Sequence, residues 1–153
     1  FFLSSHSLRL QRVQRLKLSH SAESSKIISG LSEIVDSYDG FLVDQWGVLF
    51  DANAPYKGAR TALEKLKEAG KRVVLLSNSS KRRVDALKNL VDKMKFGPPG
   101  VEGLYLDIIT SGEVAFDLVT REATGIPCIK PGTKVFVCGS GDGDEEYVQN
   151  LGC

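Results

Sequence analysis

Short apolar runs alternate along the chain with longer stretches in which apolar residues return every three or four positions. The short runs are Phe41-Leu42-Val43, Val73-Val74-Leu75-Leu76, Leu104 to Ile109 and Val135-Phe136-Val137-Cys138. Apolar runs of this length, bounded by turn or polar residues, predict strands of a parallel sheet. Between them Ala59, Ala62, Leu63, Leu66 and Ala69 form one helical stripe, which Gly70 stops at its C-terminal cap. Val84, Leu87, Leu90, Val91 and Met94 form a second stripe, ended by the break Gly97-Pro98-Pro99-Gly100. Thr110 and Glu113 have capping-box spacing and open a third helix through Val114, Leu118 and Val119. Asp144-Glu145-Glu146 opens a last helix that Gly152 ends, and Ile27, Ile28, Leu31, Ile34 and Val35 predict a short amphipathic helix before the first strand. The organised order is β-α-β-α-β-α-β-α, which predicts an α/β fold with a mostly parallel sheet flanked by helices.

The sequence has 153 residues, enough for one ordinary domain with a real core and too few for two. The net charge of +1 is unevenly spread. Residues 1–22 carry four basic side chains and no acid, so the remaining 16 basic and 19 acidic side chains leave the body at −3. A body of that charge lacks the basic face a nucleic-acid binder needs, so no nucleic-acid partner is expected. No apolar stretch approaches the length of a membrane span, so none is expected there either. The first 25 residues are rich in Ser and Arg, with Leu8, Leu10, Val13, Leu16 and Leu18 interleaved among the arginines. That composition fits a mitochondrial or chloroplast transit peptide, and equally an amphipathic leader without an address. The chain starts at Phe1 rather than Met and reads as a piece of a longer product. Cys128, Cys138 and Cys153 are odd in number and far apart, neither a disulfide framework nor a zinc site. They read as reduced thiols in an intracellular compartment, with Cys138 buried in the fourth strand.

Two strand ends carry chemistry. The run Phe41-Leu42-Val43 stops at a carboxylate, Asp44, and Val73–Leu76 runs into Ser77-Asn78. In open α/β sheets ligands sit beyond the carboxyl ends of the strands. Asp44 is either placed there for chemistry or merely caps the turn that follows. Ser77 is either part of an anion site, with backbone N–H groups at a helix N-terminus, or an ordinary N-cap; the two are compatible. An Asp facing a phosphate cradle points to phosphoryl transfer through an aspartyl-phosphate. Mg²⁺ is the expected cofactor, since two negative partners must be neutralised.

The stretch Phe41-Leu-Val-Asp44-Gln-Trp-Gly-Val-Leu49 resembles motif I of the haloacid dehalogenase superfamily, and Leu75-Leu-Ser77-Asn78-Ser79 resembles its motif II. Ile109-Thr-Ser-Gly-Glu113 and Lys134-Val-Phe-Val-Cys-Gly139 are similar to the class II branch, of subfamily IIA type, in which a large cap domain follows motif II. The resemblance covers roughly residues 36–153. It implies a Rossmann-like core, incomplete here, with the N-terminal part of the core over 26–132 and the start of the cap over 133–153, after the leader over 1–25 that composition suggests. It further implies Asp44 as nucleophile and Mg²⁺ ligand, the backbone carbonyl of Trp46 as a second metal ligand, and Ser77 and Asn78 as holders of the phosphoryl group. The implied activity is a phosphatase acting on a small phosphorylated metabolite, with oligomeric state left open.

One departure bears on mechanism. The family's phosphatases carry a second Asp two residues after the nucleophile as general acid and base, and this sequence has Trp46 there. An indole does not protonate a departing alkoxide, and such help is typically worth about 10²–10⁴-fold. The family's lysine and later acidic pair lie beyond the cap and have no counterpart before Cys153. Weak or absent activity of this chain is therefore expected, and a non-catalytic relative that binds a phosphorylated ligand or a partner protein is the alternative. A receiver-type signalling domain ranks last, lacking the acidic cluster and late lysine it needs. Gly139-Ser-Gly-Asp-Gly-Asp144 reads as a loop, since its spacing fits neither a calcium nor a dinucleotide signature.

Overall fold

The structure, a computed structural model, describes residues 27–120, 129–139, 141 and 143–152. Residues 1–25, read from composition as a leader, lie outside the described residues, as do Cys128 and Cys153. Three strands, β1 (Gly40–Asp44), β2 (Arg72–Ser77) and β3 (Asp107–Thr110), form one parallel sheet in the order β1-β2-β3. Helix α1 (Ala59–Glu68) joins β1 to β2. Helix α2 (Arg83–Lys88), which continues as a wider π turn over Asn89–Lys93, joins β2 to β3. Helices α3 (Ser111–Thr120) and α4 (Asp144–Asn150) follow. This is the α/β architecture the alternating pattern predicts.

Local chemistry sets the boundaries. At the end of α1, Lys71 N–H donates to Leu66 O and Gly70 N–H to Lys67 O, with Gly70 at φ 69°. That pair of bonds is a Schellman motif, and it needs the left-handed conformation glycine adopts without strain. The strands obey a period of two. Val73 and Leu75, with Ile108 and Thr110, point into a core that Leu63 and Leu66 of α1, Ala86 of α2 and Leu90 of the following π turn complete. The alternate set, Leu42, Val74, Leu76 and Ile109, faces the other way, and Leu42 is 71% and Ile109 46% exposed.

Three expectations need correction. The segment before β1 forms two single 3₁₀ turns, Leu31–Glu33 and Val35–Ser37, rather than an amphipathic helix; neither fully buries a residue, and Val35 packs only partly against the core. The third strand begins at Asp107, because Tyr105 leaves the strand path to fill the core beside Gly97. Residues 133–138 form no strand: Phe136 is 93% exposed and Cys138 is exposed rather than buried. A strand exists through the neighbour it bonds, and none of the three strands reaches this run. Among the described residues no helix is long and apolar enough to cross a membrane.

Candidate functional site

The register of the sheet brings the polar strand ends together. Asp44 pairs with Leu76, and Ser77, one residue further along β2, pairs with Thr110. Parallel strands end at the same edge, so three polar residues meet at the carboxyl-terminal rim. Asp44, Ser77, Asn78, Thr110 and Ser111 line one open cleft of about 750 Å³. Its remaining wall is apolar, from Leu76 and Ile109 of the sheet and Val114, Ala115 and Leu118 of α3.

Asp44 ends β1 with its side chain exposed, and one carboxylate oxygen accepts the Gln45 N–H at 2.7 Å. Gln45 is buried, and its amide donates across to Leu76 O at 3.3 Å, tying the tip of β1 to β2. The Gln45 carbonyl in turn accepts the N–H groups of Val48, Leu49 and Phe50, so the chain coils tightly just past Asp44. Leu49 and Phe50 enter the core from that coil. Trp46 stays 59% exposed, edge-on to Phe50 at 6.4 Å between ring centres, and is not part of the cleft lining. Asp51 closes the loop: its carboxylate accepts the N–H groups of Asn53 and Ala54, which hold its pKa below the ordinary value.

Ser77 does not cap α2. Its hydroxyl accepts the Ser79 N–H at 3.2 Å, and Ser79 repeats the arrangement with Lys81 N–H. The residue at the N-cap of α2 is Arg82, which caps nothing with its own side chain. The backbone N–H groups beside Ser77 therefore belong to a loop, not to the first turn of a helix as the sequence suggested. Glu113 of α3 takes the capping role from across the sheet, accepting Arg83 N–H at 2.9 Å. The same carboxylate receives two bonds from Arg82, at 2.7 and 3.0 Å. This fork lowers the Glu113 pKa and raises that of Arg82.

The capping-box spacing read from the sequence is half realised. Thr110 Oγ1 accepts the Glu113 N–H at 3.1 Å, while the Glu113 carboxylate turns outward to α2. Thr110, Ser111, Arg82 and Glu113 were not among the candidate site residues. The only sequence signal for them is that spacing, which reports a helix start and not a partner 31 residues away.

As metal donors, Asp44 and the backbone carbonyl of Trp46 are hard oxygens of the kind Mg²⁺ takes. Among the described residues no group of three or more His, Cys, Asp or Glu side chains gathers to hold a metal ion. Mg²⁺ often relies on one or two carboxylates together with phosphate oxygens and water, and this sparse donor set fits that habit.

A family model described as haloacid dehalogenase-like hydrolase matches residues 41–153. The chain is 28% identical over 120 residues to a 4-nitrophenylphosphatase of Schizosaccharomyces pombe, a match that takes in 78% of this chain and 37% of that protein. The chain thus spans a little over a third of that relative's length. Among solved structures, a haloacid dehalogenase-like hydrolase from Brucella suis 1330 is similar with a TM-score of 0.51 at 24% identity, covering 62% of this chain and 34% of the other. A hypothetical protein from Pyrococcus horikoshii OT3 gives a TM-score of 0.49 at 28% identity, over 75% of this chain and 39% of the other. The cleft lies within the matched region, on the elements that carry the polar strand ends.

Proposed function

The chain belongs to the haloacid dehalogenase-like hydrolase family, and from that premise we propose that it carries the nucleophile and phosphate cradle of a phosphatase acting on a small phosphorylated metabolite. The supporting observation is that Asp44 and Ser77-Asn78, on adjacent parallel strands, line the same cleft.

In this reading an oxygen of Asp44 attacks phosphorus. One P–O bond forms to the carboxylate as the bond to the leaving oxygen breaks, giving an aspartyl-phosphate and an alkoxide or phenoxide that takes its proton from water. Water then attacks the acyl phosphate and restores Asp44, releasing inorganic phosphate. The Ser77 hydroxyl and Asn78 hold the phosphoryl oxygens through the transfer. Asp44 and the Trp46 carbonyl would hold Mg²⁺, which supplies charge neutralisation between carboxylate and phosphate. Trp46 donates no proton to the leaving oxygen, so esters of acidic phenols suit the site better than those of ordinary alcohols. The nitrophenyl ester after which the yeast relative is named is such a substrate. Residues 26–132 then form the first part of the catalytic core and 133–153 the entry to a cap, with 1–25 as leader.

Trp46 at the acid position also favours a second reading, a relative that binds a phosphorylated ligand without turning it over. Release of nitrophenol from 4-nitrophenyl phosphate by the 153-residue chain with Mg²⁺ separates the two. We expect slow release, abolished in Asp44→Asn and reduced about 10²-fold in Ser77→Ala. Binding of phosphate with no release supports the second reading, and release that survives Asp44→Asn overturns the first.

A further inference from the structure

Between the end of β2 at Ser77 and the start of α2 at Arg83 the chain runs five residues outside any regular element. A loop of that kind costs an oxyanion ligand the ordering of every group it uses, unless something else orders it first. The first turn of α3 does so. Ser111 Oγ donates to Ser77 O at 3.4 Å, Gly112 N–H to Ser79 O at 3.0 Å and Thr110 Oγ1 to Lys81 O at 2.7 Å. Glu113 takes Arg83 N–H and both donors of the Arg82 fork. Four consecutive residues, Thr110 to Glu113, thus hold Ser77, Ser79, Lys81, Arg82 and Arg83.

Two further features make this arrangement specific. Gly112 lies so close to the loop that a Cβ there would overlap the Ser80 carbonyl and stand 2.6 Å from Lys81 O. Arg82 lies with its guanidinium carbon 3.4 Å from the centre of the Phe116 ring, and its side chain is only 20% exposed. Its charge is paired with Glu113 and stacked on Phe116, and Arg82 is not among the residues that line the cleft.

We propose that Gly112 and Glu113 are positioning residues, which hold the Ser77–Arg82 loop in its oxyanion-receiving shape before any ligand arrives. The proposal rests on the reading of Ser77 and Asn78 as the phosphate cradle. Neither positioning residue touches phosphate; both act through the loop.

Titration of the 153-residue chain with inorganic phosphate and Mg²⁺, followed at the Ser77 and Asn78 amide resonances, tests it beside thermal midpoints. Wild type should bind, and Ser77→Ala should bind far more weakly. Glu113→Gln, which keeps the shape and removes the charge, should weaken phosphate about tenfold while the midpoint moves only a few degrees. A purely structural role would move the midpoint and leave the affinity of the folded fraction unchanged. If Glu113→Gln does not fold, Arg82→Met, which keeps an apolar chain beside Phe116 and removes the guanidinium and its fork, carries the same test. Wild-type affinity in whichever variant folds overturns the clamp and leaves the cradle standing. No shift at Ser77 and Asn78 in wild type overturns the cradle and the clamp together.

Discussion

Tyr105 shows how a single side chain can set where a strand begins. It is 1% exposed, and its hydroxyl donates to Gly97 O at 2.8 Å, anchoring the Gly97–Gly103 turn to the core. Burial, and then the charge of Asp107, push its phenol up to about 12, against an ordinary 10.0, with Arg83 opposing in part. The folded state therefore holds this proton more tightly than the unfolded chain does. Stability from this group is complete below pH 10.0 and is lost as pH rises toward about 12. An ultraviolet titration should show this phenol ionising at about pH 12, in step with alkaline unfolding. Tyr105→Phe should flatten that alkaline loss and cost about 1 kcal/mol at neutral pH, where it leaves Gly97 O without its donor. An alkaline limb unchanged in Tyr105→Phe would place the loss elsewhere.

At the level of elements, helices and strand ends were legible because each follows a local period, although Val84, Val114 and Leu118 of the expected stripes are exposed. Leu63 and Leu66 of α1, and Leu90 and Met94 beyond α2, are buried as their spacing requires. Asp44 and Ser77 stand at the rim because a run of apolar residues ends there and parallel strands share an edge. What was illegible depends on distant partners. The run 135–138 has the composition of a strand and no strand to bond, and the clamp on the Ser77 loop joins groups about 30 residues apart. The same logic exposes β1, which has a neighbour on one side only among the described strands. Leu42 projects from it at 71% exposure, on the face opposite the core. An apolar side chain on an unpaired strand invites association with other edges, and a lysine there discourages it. Leu42→Lys should lower light scattering on concentration while shifting stability by no more than about 0.5 kcal/mol. A large loss of stability would mean that Leu42 packs against something in solution.

Across the whole molecule, stability is unevenly held. β2 is bonded on both sides, and Val73 and Leu75 are almost entirely buried. α4 joins the rest through far less: Tyr147 donates to Gly112 O at 3.0 Å and stands edge-on to Phe116 at 5.8 Å between ring centres. Leu151 is buried just beyond the helix, and Gly132 N–H bonds Gly152 O. Segments held by few apolar contacts open at lower free energy than the core and do so without it. Native-state hydrogen exchange should then find α4 amides exchanging through local opening while the β2 amides wait for global unfolding. Tyr147→Ala removes both the ring contact and the bond to Gly112. It should speed α4 exchange about tenfold or more and leave the Val73–Leu76 amides at their wild-type rate. Because Gly112 also carries the bond to Ser79, a modest rise at the Gly112 amide itself is expected, fading along the loop toward Ser77. Equal acceleration in α4 and β2 would mean that the two open as one unit, and the contacts through Tyr147 would then belong to the core.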